Sequence, residues 1–325
     1  MRSVRVTRFA ESPSIEMLAD PEPKPGYSIV RVEAATVGHI DRTIWSGAFL
    51  RHPPLPYTPG VEGSGVVVDG EKFTAGSRVW LRGAGLGTAI DGTWSELVSV
   101  PDEALGMLPD SVSYEIGATF FSPCTSAWVA LHDVGQVRAG ERVLVSGASG
   151  AVGAVACQLA LDAGASVVAV VSSAERIPLV PAGATPLVVG PGAPPQTSEL
   201  QGDLFIDTVG GRVLADLLPG VTPGGRVVLV GYVAGKELTV DLSWLVQRDV
   251  SLLPLNMIRR EAAGREAAPQ LLARLANGDL QIVTTTFSME AAVPALDWLV
   301  DRAHQGRAVL SPHSDPAEGG ANDDR

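Results

Sequence analysis

The sequence predicts an α/β protein of two domains, one β-rich and one built on a doubly wound parallel sheet. Three observations carry this. The first hundred residues are short β-branched runs between Gly, Pro and Asp, the texture of a compact antiparallel barrel. From about residue 122 to 255, strands alternate with helical segments, and the strands are nearly continuous apolar runs, as a sheet covered on both faces requires. At 143–160, a strand, a glycine cluster and an apolar-faced helix follow one another without a charge. A chain of 325 residues exceeds most single cores, which fits two domains.

In chain order, "SVRVTRFA", "YSIVRVEAATVG", "GSGVVVDG", "SRVWLRG" and "WSELVSVP" read as the strands of the first domain. The texture changes near Pro109, and "SVSYEIGATFFSPCTSAWVALHDVG" reads as helix with a break at Pro123. Six strands follow: "RVLVSG", "ASVVAVVS", "TPLVVG", "GDLFIDTVGG", "GGRVVLVG" and "VSLLPL". The helix due after "ASVVAVVS" falls on "SAERIPLVPAGA", where Pro178 and Pro181 predict a short or broken one. After Leu255, "EAAPQLLARLANG" and "SMEAAVPALDWLVDRAHQG" read as helices, and "RAVLSP" closes the chain back onto the barrel. The expected boundaries are 1–121 with 256–311 for the β-rich domain and 122–255 for the parallel-sheet domain. Residues 312–325, small, polar and charged, are expected to be a disordered tail.

The stretch "VLVSGASGAVGAVACQLA" admits three readings: a membrane span, a glycine-softened turn in a core, or a phosphate cradle. A span needs about 20 predominantly apolar residues, and Ser146, Gly147, Ser149, Gly150 and Gly153 break the run in its middle. Val143-Leu144-Val145 is a strand signal, and Val152, Val155, Ala156, Leu159 and Ala160 recur at helical spacing. Between them, Ala148-x-Gly150-x-x-Gly153, with Ala151 and Val152 inside it, matches the dinucleotide fingerprint with Ala in the first position. The turn must be tight, the backbone must approach a pyrophosphate, and the helix must pack closely on the strand. The helix N-terminus then offers N–H groups and a positive dipole end to the phosphates.

Hydrophobic residues make up 46% of the chain and charged residues 18%, an ordinary globular composition. The net charge of −12, with no basic stripe, argues against a nucleic-acid partner. No secretory leader and no membrane span is read, so a cytoplasmic location is expected. Two cysteines, Cys124 and Cys157, exclude a disulfide framework and suit a reducing compartment. The five histidines show no metal-ligand spacing.

The β-rich first domain with "GTWSELVSVP", "LPDSVSYEIGA", "SGASGAVG", "DLFIDTVGG", "GGRVVLVG" and "QGRAVL" resembles the medium-chain dehydrogenase/reductases, in particular their zinc-free quinone oxidoreductase and enoyl reductase branch. The resemblance spans residues of about 4–311. It implies a GroES-like catalytic domain, a Rossmann domain, a cofactor cleft between the two, and often a homodimer. Relatives pair the edge strand, here 250–255, across a two-fold axis, and an exposed apolar edge is one that proteins cover. Where zinc-dependent relatives carry ligands, this sequence has Gly38, Val61 and Ser122, so no catalytic metal is expected.

In NAD-binding relatives an acid about 20 residues after the glycine turn reads the ribose 2′-OH. Here Ser172 and Ser173 end the strand, and Glu175 and Arg176 follow. Two hydroxyls and a guanidinium suit a 2′-phosphate, and the resemblance then implies NADP(H). The alternative is that the serines cap the next turn. Further cofactor contacts implied are Thr125 and Ser126 near the nicotinamide, Asp207, Val209, Gly231 and Tyr232 at strand ends, and Asn256 after the last strand. Asp207 reads equally as a turn-forming residue.

The family's substrate loop departs here to "GHIDRTIWSG". Gly38 and His39 replace Asn and Pro, Asp41 is kept, Thr43 stands where many quinone reductases have Tyr, and Trp45 stands at the Arg position. The proton-donating tyrosine of some enoyl reductases has no equivalent, and Phe49 is the nearest match. Candidate catalytic residues are therefore His39, Asp41 and Thr43, with Asp41 open to a structural reading and His39 to that of an ordinary polar residue. Trp45, Phe49, Tyr57 and Trp94 are either an aromatic pocket or core. The function expected is hydride transfer from NADPH to a small conjugated carbonyl, a quinone, enone or enoyl thioester. The alternative is an NADPH-binding sensor or structural protein with little turnover.

Overall fold

The computed structural model describes residues 1–49, 53–190, 200–301, 304 and 306–313. By its contacts the chain divides into two units, Met1–Phe121 with Ile282–Arg325, and Ser122–Gln281.

The first unit is built on a seven-stranded sheet. Its order is Thr284–Ser288, Arg307–Ser311, Tyr27–Val37, Glu62–Asp69, Arg78–Arg82 and Leu105–Met107, with Leu97–Pro101 also pairing Tyr27–Val37. Strand Tyr27–Val37 holds the sheet together because it pairs with three neighbours, and it buries Val30, Val32, Ala35 and Val37 completely. A two-stranded antiparallel ribbon, Arg2–Arg5 with Ser14–Met17, completes the strands. Ser14–Met17 escaped the sequence reading because its polar–apolar alternation, Ser-Ile-Glu-Met, is only four residues long, and its side chains are mostly exposed.

The second unit is a six-stranded sheet in which every neighbouring pair is parallel. The order is Thr185–Val188, Ser166–Val171, Arg142–Ser146, Gly202–Asp207, Val221–Leu229, Ser251–Pro254. Numbered within the unit this is 3-2-1-4-5-6, the doubly wound order whose direction reverses between strands 1 and 4. Leu144, Leu204, Phe205, Val227 and Val228 are fully buried, which explains why the strands read as apolar runs. Burying each such side chain contributes roughly 1.5–3 kcal/mol.

Three local expectations are corrected or refined. Residues 256–281, expected with the barrel, group with the second unit. Helix Glu261–Asn277 buries Gly264, Ala267, Ala268, Leu271 and Leu272, Gly264 lies against Thr125, and Arg274 pairs with Asp162. The helix break expected at Pro123 falls at Phe120, between Tyr114–Thr119 and Phe121–Trp128. Pro123 sits in the first turn of the second helix, where a missing N–H costs nothing. The segment with Pro178 is a six-residue 3₁₀ helix, Ala174–Leu179, in place of a full α-helix. Of the tail expected from 312, residues beyond 313 lie outside the described residues. Among the described residues no helix is long and apolar enough to cross a membrane.

Candidate functional site

The reversal point of the parallel sheet is where the fingerprint lies. Strand Arg142–Ser146 ends at Gly147, whose φ of 62° is in the left-handed region. A Cβ there would sit 2.6 Å from the Thr208 hydroxyl oxygen, so glycine is required twice over. The tight turn is thus made one residue before the fingerprint's first position. Ala148 is instead fully buried and donates its N–H to the Val170 carbonyl at 3.1 Å. Gly150 caps helix Ala151–Asp162 with no side-chain cap. The first helical bond runs from the Ala154 N–H to the Gly150 carbonyl at 2.8 Å, so the N–H groups of Ala151, Val152 and Gly153 precede the ladder. A Cβ on Gly153 would meet the Gly147 carbonyl oxygen at 2.2 Å, so turn and helix touch backbone to backbone. The result is a cradle of backbone donors at the positive end of a 12-residue helix, which fits a pyrophosphate.

Across the reversal point, Asp207 is fully buried at the end of strand Gly202–Asp207. Its Oδ1 accepts from the Ser146 hydroxyl at 2.6 Å and its Oδ2 from the Gly210 N–H at 2.9 Å. The Thr208 N–H donates back to Ser146 Oγ at 3.0 Å, and the Thr208 hydroxyl to the Ser146 carbonyl at 2.7 Å. Burial raises the Asp207 carboxyl above its ordinary range, against the opposing bonds from Ser146, Val209 and Gly210. Asp207 therefore shapes the 207–210 turn. Val209 and Gly231 sit where that turn meets the next. The Gly231 N–H donates to the Asp207 carbonyl at 3.2 Å, and a Gly231 Cβ would lie 2.3 Å from the Thr208 carbonyl oxygen. Tyr232 is 66% exposed beside this contact.

Arg176 connects the neighbouring strand end to the cradle: its Nε donates to Ser149 Oγ at 2.7 Å. Ser173 holds the N-cap position of the 3₁₀ helix without making the capping bond. Its hydroxyl instead holds the exposed Glu175 carboxylate below its ordinary range. Ser172 is exposed. Two other expected contacts have local partners. Thr125 is buried against Gly264, leaving Ser126 the more exposed of the pair. Asn256 accepts from the N–H groups of Ile258 at 3.0 Å and Arg259 at 3.3 Å, closing its own turn.

In the first unit, helix His39–Trp45 begins at Gly38. Asp41, buried, accepts from the Gly38 N–H at 2.8 Å and the Val61 N–H at 3.0 Å, so it ties the helix to the entry of strand Glu62–Asp69. Burial pushes its carboxyl up to about 6, opposed by those two N–H groups, with Glu62 raising it and Arg307 lowering it. Buried Glu62 pairs with Arg307 at 3.0 Å and Arg82 at 3.5 Å. Asp41 is thus a structural hub. The Thr43 hydroxyl donates to the His39 carbonyl at 2.7 Å within the helix. His39 is exposed, yet desolvation by surrounding chain, then Arg307 and Arg42, lowers its imidazole below the ordinary range. Trp94 and Tyr57 are 1% exposed and belong to the core, and Trp45 and Phe49 pack half-buried beside Tyr57. Val61 points into the same apolar cluster as Val6, Ile44 and Tyr57. Among the described residues no group of three or more His, Cys, Asp or Glu could hold a metal ion.

Residues 24–110 match the family described as alcohol dehydrogenase GroES-like domain, and residues 151–277 the family described as zinc-binding dehydrogenase. The quinone oxidoreductase of Mus musculus is 30% identical over 247 residues, 71% of this chain and 73% of that one. Among solved structures, the quinone oxidoreductase of Thermus thermophilus, determined also with NADPH, is 30% identical with a TM-score of 0.80, covering 96% of this chain and 100% of that one. The quinone oxidoreductase of Pseudomonas syringae pv. Tomato is 26% identical with a TM-score of 0.82, covering 96% and 99%.

Proposed function

Because the chain belongs to the quinone oxidoreductase branch of the medium-chain dehydrogenase/reductase superfamily, we propose that it is an NADPH-dependent reductase of conjugated carbonyls (quinones, enones or enoyl thioesters) that works without zinc. The observation that carries the cofactor reading is the Arg176 guanidinium drawn onto the glycine turn, while Glu175, the acid of that segment, is exposed and held by the Ser173 hydroxyl. A positive donor fork there favours a 2′-phosphate, which an acid would repel. The nicotinamide, when bound, supplies the hydride. The chain's own residues bind and orient. Ala151, Val152 and Gly153 offer N–H groups to the pyrophosphate, Arg176 with Ser172 and Ser173 takes the 2′-phosphate, and the turns at Val209 and Gly231 let backbone come close. Gly38 and Val61 carry no ligand atom, which supports the zinc-free reading despite the name of one matching family.

Fluorescence titration tests this. NADPH is expected to bind at least about tenfold tighter than NADH, since a charged hydrogen bond contributes about 1.5–3 kcal/mol. NADPH oxidation with 1,2-naphthoquinone or an enone is expected to persist in chelator. Equal affinity for the two cofactors removes Ser172, Ser173 and Arg176 from the role.

The proton that follows the hydride comes from solvent in this reading. The Thr43 hydroxyl already donates to the His39 carbonyl, and a lowered imidazole leaves His39 largely neutral at pH 7. His39→Ala is expected to keep kcat within roughly tenfold, below the 10²–10⁴-fold of a positioned general acid. A hundredfold loss with NADPH affinity unchanged makes His39 the acid. The same shortage of donors favours a second reading, a sensor that binds NADPH and turns over little. Tight binding without oxidation in the assay above selects it.

We further propose a homodimer through the edge of the second unit. Among the described residues, strand Ser251–Pro254 pairs on one side only, with Val221–Leu229. Tyr232, Val233, Leu242, Val246 and Ile258 are 66–79% exposed on the same unit. A bare edge and apolar surface of this kind are usually covered. Light scattering at micromolar concentration is expected to give twice the chain mass, and a monomer mass refutes the dimer.

A further inference from the structure

The 3₁₀ segment after the second strand of the parallel sheet has a period that the α-helix lacks. Burial alternates with a repeat of three: Ser173, Arg176 and Leu179 are partly buried, whereas Ala174, Glu175, Ile177 and Pro178 are exposed. Side chains at i and i+3 eclipse in a 3₁₀ helix, so these three share the inward face and Glu175 is turned out. Pro178 removes an N–H and prevents rewinding into an α-helix. The sequence therefore presents Arg176, and not its acidic neighbour, to the glycine turn.

There the guanidinium meets Ser149, the residue before the helix cap. Ser149 is only 4% exposed although it lies in a turn, and its hydroxyl accepts the Arg176 Nε–H at 2.7 Å. Ser149 Oγ is positioned by a turn with little freedom. Gly147 is fixed in the left-handed region, the Gly150 N–H closes on the Gly147 carbonyl at 2.9 Å, and Ala148 is bonded to the neighbouring strand. A long, rotamer-rich arginine is thus pinned at its Nε by a rigid backbone. Guanidinium recognition of phosphate depends on the orientation of its planar fork, and a bond at Nε restricts the directions in which that fork can point.

We propose that Ser149 is a positioning residue for cofactor choice: by holding the Arg176 Nε it sets the guanidinium for a 2′-phosphate and couples the pyrophosphate turn to the 2′-phosphate segment. This rests on the NADPH reading above. Ser149 itself contacts no phosphate in this account. Its effect on binding passes wholly through Arg176.

The test is equilibrium binding of 2′,5′-ADP and 5′-ADP, by calorimetry, to the full chain, to Ser149→Ala, to Arg176→Met and to the double variant. Arg176→Met is expected to weaken 2′,5′-ADP by about tenfold or more, as loss of a charged hydrogen bond does, and to leave 5′-ADP within about twofold. Ser149→Ala is expected to weaken 2′,5′-ADP by roughly threefold to tenfold, with 5′-ADP within twofold, less than the loss of Arg176 itself because the guanidinium keeps its charge. In the Arg176→Met background, Ser149→Ala is expected to add nothing, because residues acting as a unit are non-additive. Additive losses, or equal weakening of both ligands by Ser149→Ala, overturn the proposal and place Ser149 on the turn or the pyrophosphate itself. A Ser149→Ala with no effect beside a selective Arg176→Met also overturns it, while leaving the NADPH reading intact. If Arg176→Met does not change the ratio of the two ligands, the NADPH reading at this segment fails, and the proposal falls with it.

Discussion

Gly153→Ala is expected to cost the chain about 3 kcal/mol of stability, the upper end of overpacking, and to weaken NADPH binding by at least about a hundredfold, roughly 2.7 kcal/mol. The added Cβ would lie 2.2 Å from the Gly147 oxygen, 2.7 Å from the Gly147 carbonyl carbon and 3.0 Å from the Ala148 Cα. All three are backbone atoms, so no side chain can rotate away. Either the helix lifts off the turn or the turn opens. Both separate the first-turn N–H groups from the geometry that a pyrophosphate needs. Gly150→Ala is the control. A Cβ there meets only the Gly147 oxygen, at 3.2 Å, and otherwise open space. Its stability loss is expected to stay within about 1 kcal/mol, as for an unfavourable cap residue. Denaturant midpoints of the two variants decide the matter. If Gly153→Ala is no less stable than Gly150→Ala, the close approach of helix to turn is not what holds the cradle.

This pair of glycines also marks how far sequence carries. The strand, glycine turn and helix were legible because each has a chemical signature: an apolar run, a cluster without Cβ atoms, and a helical apolar stripe. The central parallel strands were legible for the same reason, since strands buried on both faces leave no polar alternation, whereas the edge strands Thr185–Val188 and Ser251–Pro254 are exposed or half-buried and were read from their short apolar runs alone. The register inside the turn was not. Three glycines close together do not say which one takes a positive φ, and the fingerprint's spacing points to Ala148 when Gly147 makes the turn. The partner of helix Glu261–Asn277 was not legible either. Its buried face is largely small, Gly264, Ala267 and Ala268, and such a face packs on whatever comes near. In the substrate loop the residue types were readable, but their use was not. Asp41 and Thr43 look chemically available in sequence, and both are engaged with backbone. The Arg176 contact depends on a 3₁₀ period that two prolines only hinted at.

Asp207→Ala is the complementary prediction, on the other side of the reversal point. It removes the acceptor for the Ser146 hydroxyl and the Gly210 N–H, both in buried surroundings. Each buried donor left without a partner costs about 1–3 kcal/mol, so the expected loss for the two is about 2–6 kcal/mol. The turn at 207–210 then keeps only the Thr208 bonds to Ser146 as its tie to strand Arg142–Ser146, which loosens the contact of the Thr208 hydroxyl with Gly147. Dinucleotide affinity is expected to fall with stability, although Asp207 need not touch the ligand. Asp207→Asn keeps one acceptor oxygen and is expected to fall between the parent and the alanine variant. The pH dependence separates this account from a surface role. The folded carboxyl is raised by burial, so the protonated form is the one that folding favours. The stability Asp207 contributes is fullest below the ordinary carboxyl value near 3.9 and declines as pH rises above it. The margin of the parent over Asp207→Ala, measured by denaturant unfolding, is therefore expected to narrow between about pH 4 and neutral. A margin that widens over that range means that the bonds from Ser146, Val209 and Gly210 stabilise the carboxylate as a charge by more than burial penalises it.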